Sequence, residues 1–196
     1  MKPKKILLAT AFCSILSSPA SAQAVLTGDT ATACEAMMCL IASIRPTECN
    51  KSLARYFSIT ARKWSDTLKQ RTDFLDMCPT ASNDPQMKSL IPAIVNGAGR
   101  CDAATLNQTT VANYSNDSNG DQHFYIPNAM PAYCTAYTQH PYADLKITLP
   151  LYVGTPDRDG YWVERAQYAK AVDAYAIQIA AQDAAIANQR NDGGGR

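Results

Sequence analysis

Apolar residues recur every three or four positions through most of this chain, the spacing of helices that bury one face. Ala33, Ala36, Met37 and Leu40 form the first such row, with Asp29 or Thr30 as its cap and Pro46 as its limit. A second helix, starting at Thr47 or Asn50, buries Leu53, Tyr56 and Phe57. Trp64, Leu68 and Leu75, set among Lys, Arg and Asp, predict a third over residues 62–77, stopped by Pro79. Asp84-Pro85 opens a fourth, whose Met87, Leu90, Ile91 and Ile94 lead to Gly97 and Gly99, with a kink expected at Pro92. A short helical turn follows from Asp102 to Leu106.

Periodicity then fades. Residues 107–144 are rich in Asn, Asp, Ser, Tyr and Pro, and their aromatic content predicts a long ordered loop region rather than a linker. Leu145, Ile147, Leu149, Leu151 and Val153 alternate with Lys146, Thr148, Pro150 and Tyr152, which predicts a strand that Pro150 confines to an edge. Turn residues between Gly154 and Gly160 lead into Tyr161-Trp162-Val163. From Glu164 onward, Ala166, Ala169, Val172, Ala176, Ile179 and Ile186 predict a long helix, and residues 191–196 an unstructured tail. The fold class expected is mainly α: a disulfide-stapled helical domain, a small β-strand or hairpin element at about 145–163, and a long C-terminal helix.

Composition sets the compartment. The chain has 196 residues, 46% of them hydrophobic, and a formal charge of +1, values of a packed protein rather than a disordered one. Lys2, Lys4 and Lys5, an apolar run over residues 6–16 and Ala20-Ser21-Ala22 read as a cleavable export signal over residues 1–22. Its apolar run is too short to span a bilayer, so no stable membrane insertion is expected. Cleavage leaves one domain over residues 23–190 and the tail, with 15 basic against 17 acidic residues. A net −2 disfavours direct nucleic-acid binding.

The same cut removes Cys13 and leaves Cys34, Cys39, Cys49, Cys78, Cys101 and Cys134, an even set in an oxidising compartment. Six cysteines allow 15 pairings, and spacing alone does not choose among them. Within one helix Cys34 and Cys39 lie ~140° apart and face different partners. Cys39 to Cys49 would staple the first two helices for ~3 kcal/mol, Cys101 to Cys134 would close a longer loop for ~4 kcal/mol, and Cys34 to Cys78 remains. No C-x-x-C occurs, and the gaps do not suit zinc, so no metal or cofactor is expected.

Catalytic constellations are thin. Glu35 and Glu48 are the candidate acids for glycan cleavage, and Glu164 completes the glutamates. His123 and His140 are the candidate bases or ligands, but no Gly-x-Ser-x-Gly elbow accompanies them. Residues 117–121 begin like a calcium loop, yet Gln122 and Asn128 stand where a glycine and a bidentate glutamate belong. Asn107, Asn113 and Asn116 begin sequons. No catalytic residue is assigned. Tyr152, Tyr161 and Trp162 are the candidate interaction residues, because aromatics are enriched where proteins touch, although interior packing against the helical half explains them as well and is the preferred reading.

Several segments resemble one family. Residues 33–40, carrying Cys34 and Cys39, and residues 48–59, from Glu48-Cys49-Asn50 to Phe57-Ser58-Ile59, are similar to the opening of the TrbM/KikA conjugal transfer proteins. Met130-Pro131-Ala132-Tyr133-Cys134, His140-Pro141-Tyr142, residues 149–154 and Gly160-Tyr161-Trp162-Val163-Glu164 resemble that family's second half. The resemblance implies a periplasmic protein of a plasmid type IV secretion, mating-pair-formation system. Its implied partners are other envelope components of the conjugation machinery, and it carries over no catalytic residue. The expected function is therefore a non-enzymatic accessory or assembly factor; a peptidoglycan-active enzyme and a periplasmic metal or small-molecule binder are the alternatives.

Overall fold

The computed structural model describes residues 26–82, 85–109, 111–114 and 122–193, so the expected export signal lies outside the described residues. Four helices make the first half: α1 (Gly28–Ile41), α2 (Cys49–Phe57), α3 (Trp64–Leu75) and α4 (Pro85–Gly97). The apolar row of α1 shares one core with Tyr56 of α2, Phe74 and Leu75 of α3, and Leu90, Ile91 and Ile94 of α4. Each Leu, Ile or Phe buried there stabilises the fold by ~1.5–3 kcal/mol. Helix α4 runs on through Pro92, whose side is exposed, so the bond its ring nitrogen cannot donate is lost on the solvent side.

Three disulfides brace this frame: Cys34–Cys78, Cys39–Cys49 and Cys101–Cys134, with Cα separations of 4.9, 5.7 and 5.6 Å. Spacing alone leaves the pairing open, and the positions of the helices decide it. Cys34 and Cys39 do point to different partners, the end of α3 and the start of α2. Cys101 touches both the first core and a second one, formed by Ala103, Leu106, Cys134 and Trp162, so its bridge ties the two together. Three bridges fit a chain that has left the reducing cytosol. Among the described residues no helix is long and apolar enough to cross a membrane.

The second half departs from the pattern reading in three places. After α5 (Ala103–Leu106), capped by Asp102 accepting from Thr105 N–H at 2.8 Å, residues 107–144 are not one loop. They hold an antiparallel hairpin, β1 (Val111–Tyr114) with β2 (Gln122–Tyr125), and the helix α6 (Ala132–Thr138). Seven residues are too few for periodicity to register, although Cys134, Tyr137 and Thr138 stand at i, i+3 and i+4 and are buried.

The alternation at 145–153 is only partly a strand. Leu145 enters the first core, Lys146–Thr148 is a single 3₁₀ turn closed on the Leu145 carbonyl, and β3 is confined to Leu151–Val153, paired with β4 (Tyr161–Val163). Pro150, which has no N–H to offer, ends the turn before the ladder begins.

Helix α7 (Tyr168–Gly193) is long, as expected, but it docks on another face. Ala171, Tyr175, Ile179 and Gln182 lean inward, whereas Ala166 and Ala169 ahead of that contact, and Val172, Ala176 and Ile186 along it, are exposed. Alanine on every side of the helix hides the true stripe from a pattern search. Tyr175 decides the seat: its ring lies over Gly154, at φ +80°, and its hydroxyl donates to Arg158 O at 2.8 Å. The backbone remains helical to Gly193, within the stretch expected to fray.

Gly97 lets α4 and α6 cross closely. A Cβ there would stand 2.5 Å from the Tyr137 Cβ, and Tyr137 cannot retreat because its hydroxyl donates to the Leu40 carbonyl. Gly97→Ala is therefore expected to destabilise the fold by ~1–3 kcal/mol through overpacking, read as a lower melting temperature. Wild-type melting of that variant would show that α4 and α6 can part at no cost.

Candidate functional site

The residues put forward for catalysis do not converge. Glu35 is exposed on α1 and Glu48 exposed at the start of α2, where Thr47 hydroxyl donates to it at 3.4 Å. Glu164 Oε1 accepts the Ala103 N–H at 2.9 Å and, with Asp102, holds the start of α5; both carboxylates face a cleft of about 330 Å³ between the two cores, also lined by Arg45 and Tyr137.

His140 is buried and meets the exposed Ser89, Nε2 to Oγ at 2.9 Å. Its Nδ1 accepts the Tyr142 N–H, so Nε2 carries the proton and donates to Ser89, whose hydroxyl donates onward to Gln86 O. A base that activates a serine needs the reverse polarity. The His123 side chain and residues 117–121 lie outside the described residues. Among the described residues no three His, Cys, Asp or Glu side chains gather into a group that would hold a metal ion.

The three candidate interaction aromatics are brought together by β3 and β4, facing inward. Trp162 is 6% exposed, its indole N–H donates to Pro127 O at 2.9 Å, and its ring meets Tyr152 edge to face at 5.3 Å. Tyr152 donates to Ile126 O at 2.7 Å, and burial pushes its phenol pKa up. Tyr161 packs beside Val153, Val163 and Ala171. Asn107, read as a sequon, straps the Trp162 backbone: Oδ1 accepts its N–H at 2.7 Å and Nδ2 donates to its carbonyl at 2.8 Å. Tyr152 and Trp162 thus build the second core, and Tyr161 a small cluster under α7 on the other face of the hairpin.

Tyr56 and Arg71 form a buried polar pair that periodicity did not mark. Arg71 lies 4.9 Å above the Tyr56 ring and donates to Ile59 O at 3.2 Å, while the Tyr56 hydroxyl has no hydrogen bond among the described residues. Burial pushes the Tyr56 pKa from 10.0 up to about 12, against the pull of Arg71. The neutral phenol is thus favoured by folding, and this contribution, intact below pH ~10, is lost as pH rises from ~10 towards ~12. Tyr56→Phe is expected to melt no lower than wild type at neutral pH and to lose less stability across that alkaline window, measured by thermal melts. An unchanged alkaline slope would rule out Tyr56 as its source.

The open surface lies elsewhere. A groove of about 580 Å³ runs between α1 and α4, lined by Leu26, Met37, Met38, Ile41, Met87 and Tyr142, with the Cys34–Cys78 bridge in its wall. Its lining is almost wholly apolar, and Met38, 66% exposed, stands at its edge. Unbranched methionines let such a surface adapt to what it meets. The sequence signal was present in Met37-Met38, adjacent positions on a helix of which only one can point inward.

Against known proteins, no curated protein and no solved structure matches the chain. A family model described as TrbM does match, over residues 25–176, a span that takes in all three disulfides and both cores and stops within α7. The chain belongs to the TrbM family of conjugal transfer proteins.

Proposed function

We propose that this protein is a non-enzymatic accessory or assembly factor of a conjugative type IV secretion system, acting in the periplasm by contact with other envelope components. The observation that carries the reading is the α1–α4 groove. An apolar groove left open to water on a disulfide-braced frame, with methionines that can adapt to what they meet, offers another protein a seat. Its lining offers little to a charged solute. The occupant we assign is a row of apolar side chains on a component of the same machine, entering between Met38 and Tyr142. Family membership and the polarity of the Ser89–His140 pair support the same reading.

The test is a photocrosslinking residue at Met38 in donor cells, alongside Met38→Asp. Recovery of a secretion-channel component is expected, together with at least a tenfold loss of plasmid transfer in Met38→Asp at unchanged melting temperature, since Met38 is exposed. Wild-type transfer by Met38→Asp with no captured component would refute the reading. Cleavage of purified cell wall by the native protein would replace it with an enzymatic one.

A further inference from the structure

The chain has two tryptophans, and the one the pattern reading assigned to the interior is the exposed one. Trp64 opens α3 at 44% exposure. Two guanidinium groups bracket its ring, Arg71 at 5.7 Å and Arg100 at 5.1 Å from the centroid. Arg100 in turn lies 4.2 Å from the Tyr133 ring centroid, making a row of indole, guanidinium and phenol. Arg62 and Lys63, both exposed, immediately precede Trp64.

None of these four cations forms an ion pair among the described residues, where the pairs are Arg55–Asp29, Lys69–Asp73 and Arg158–Asp183. Arg71 donates to Ile59 O and Arg100 to Asn96 O, both neutral acceptors. A nearly neutral chain thus sets two guanidinium groups over one half-exposed indole, the buried Arg71 and the half-buried Arg100, with two more cations directly before it in sequence. Arginine and tryptophan are the residue types that dominate binding energy at protein contacts, and an arginine held over a ring strengthens its hold when water leaves. No carboxylate of the described residues answers these cations.

We propose that the face formed by Trp64, Arg100 and Tyr133, with Arg62 and Lys63 at its edge, receives an acidic segment of a partner protein. A partner carboxylate meets Arg100, and an apolar side chain covers the Trp64 indole. The proposal rests on the reading that the protein works by contact, and it names a second contact face beyond the groove. A single-stranded nucleic acid fits less well, because it needs successive stacking platforms along a continuous basic track. Here only one of the two indoles is exposed.

The test titrates the oxidised protein with a synthetic peptide alternating Glu and Leu, with its Lys–Leu counterpart, with oligothymidylate and with phosphatidylglycerol vesicles. Trp162 is buried, so a change in indole emission reports Trp64, and Trp64→Phe is the control. The Glu–Leu peptide is expected to shift and quench the emission saturably, more weakly as ionic strength rises. Arg62→Gln/Lys63→Gln and, separately, Arg100→Gln are expected to weaken it at least tenfold. The double variant alters side chains with no ion pair among the described residues, so its melting temperature stays that of the wild type. No response, an equal response to the Lys–Leu peptide, unchanged affinity in the double variant, or a response confined to oligothymidylate or vesicles overturns the proposal. Failure here with capture at Met38 intact sinks this face alone; loss of both sinks the contact reading.

Discussion

Replacing Cys101 or Cys134 by serine lowers the stability of the oxidised protein by ~2–5 kcal/mol and its yield from an oxidising compartment with it. Closing a loop of sequence separation 33 accounts for ~4 kcal/mol of lost denatured-state entropy, against ~3 kcal/mol for the separation of 10 at Cys39–Cys49. Position adds to length. Cys134 is wholly buried, and Cys101 packs on both cores, so this bridge fixes α6 to the segment that leads from the four helices into the second core. The other two bridges act inside the first core, where α1, α2, α3 and α4 already share buried side chains. Losing Cys39–Cys49 is accordingly expected to cost less than losing Cys101–Cys134. Thermal melts of the two serine variants under oxidising conditions measure the difference. A Cys101→Ser protein that melts with the wild type would show that packing alone joins the cores.

The first half was legible because its helices are long enough to repeat. Ala33, Ala36, Met37 and Leu40 keep to one face over two helical turns and set Cys34 and Cys39 on different faces, while the pairing itself depends on how the helices pack. The second half was read less well because its elements are short and its contacts distant in sequence. Helix α6 has seven residues, β3 and β4 three each, and what holds them are single polar links such as Asn107 to the Trp162 backbone, 55 residues apart. Such links carry no period.

Aromatic residues were legible only in part. Trp64 falls on an apolar row and reads as core, yet two arginines support it at the surface, while Trp162, in a turn-rich stretch that suits a contact or an interior role, is interior. The groove was hardest to foresee. An open apolar surface depends on what fails to cover it, and sequence spacing encodes only what does.

Trp162→Ala is expected to destabilise the fold by ~3–5 kcal/mol, the range for truncating a buried large aromatic. The cavity is one part of that loss. Pro127 O loses the indole N–H it accepts, and Tyr152 loses its edge-to-face neighbour, worth ~0.5–1.5 kcal/mol beyond burial. Trp162→Phe keeps most of the ring volume and removes the N–H, so it isolates the hydrogen bond at an expected ~1–3 kcal/mol. If Trp162 instead served a partner, both variants would melt with the wild type and fail only in capture or transfer. The structure predicts the opposite order: Trp162→Ala loses transfer in proportion to lost folded protein, and Met38→Asp, at an exposed position, loses it while fully folded. Measuring melting temperature and transfer for the same three variants separates an interior anchor from a contact residue.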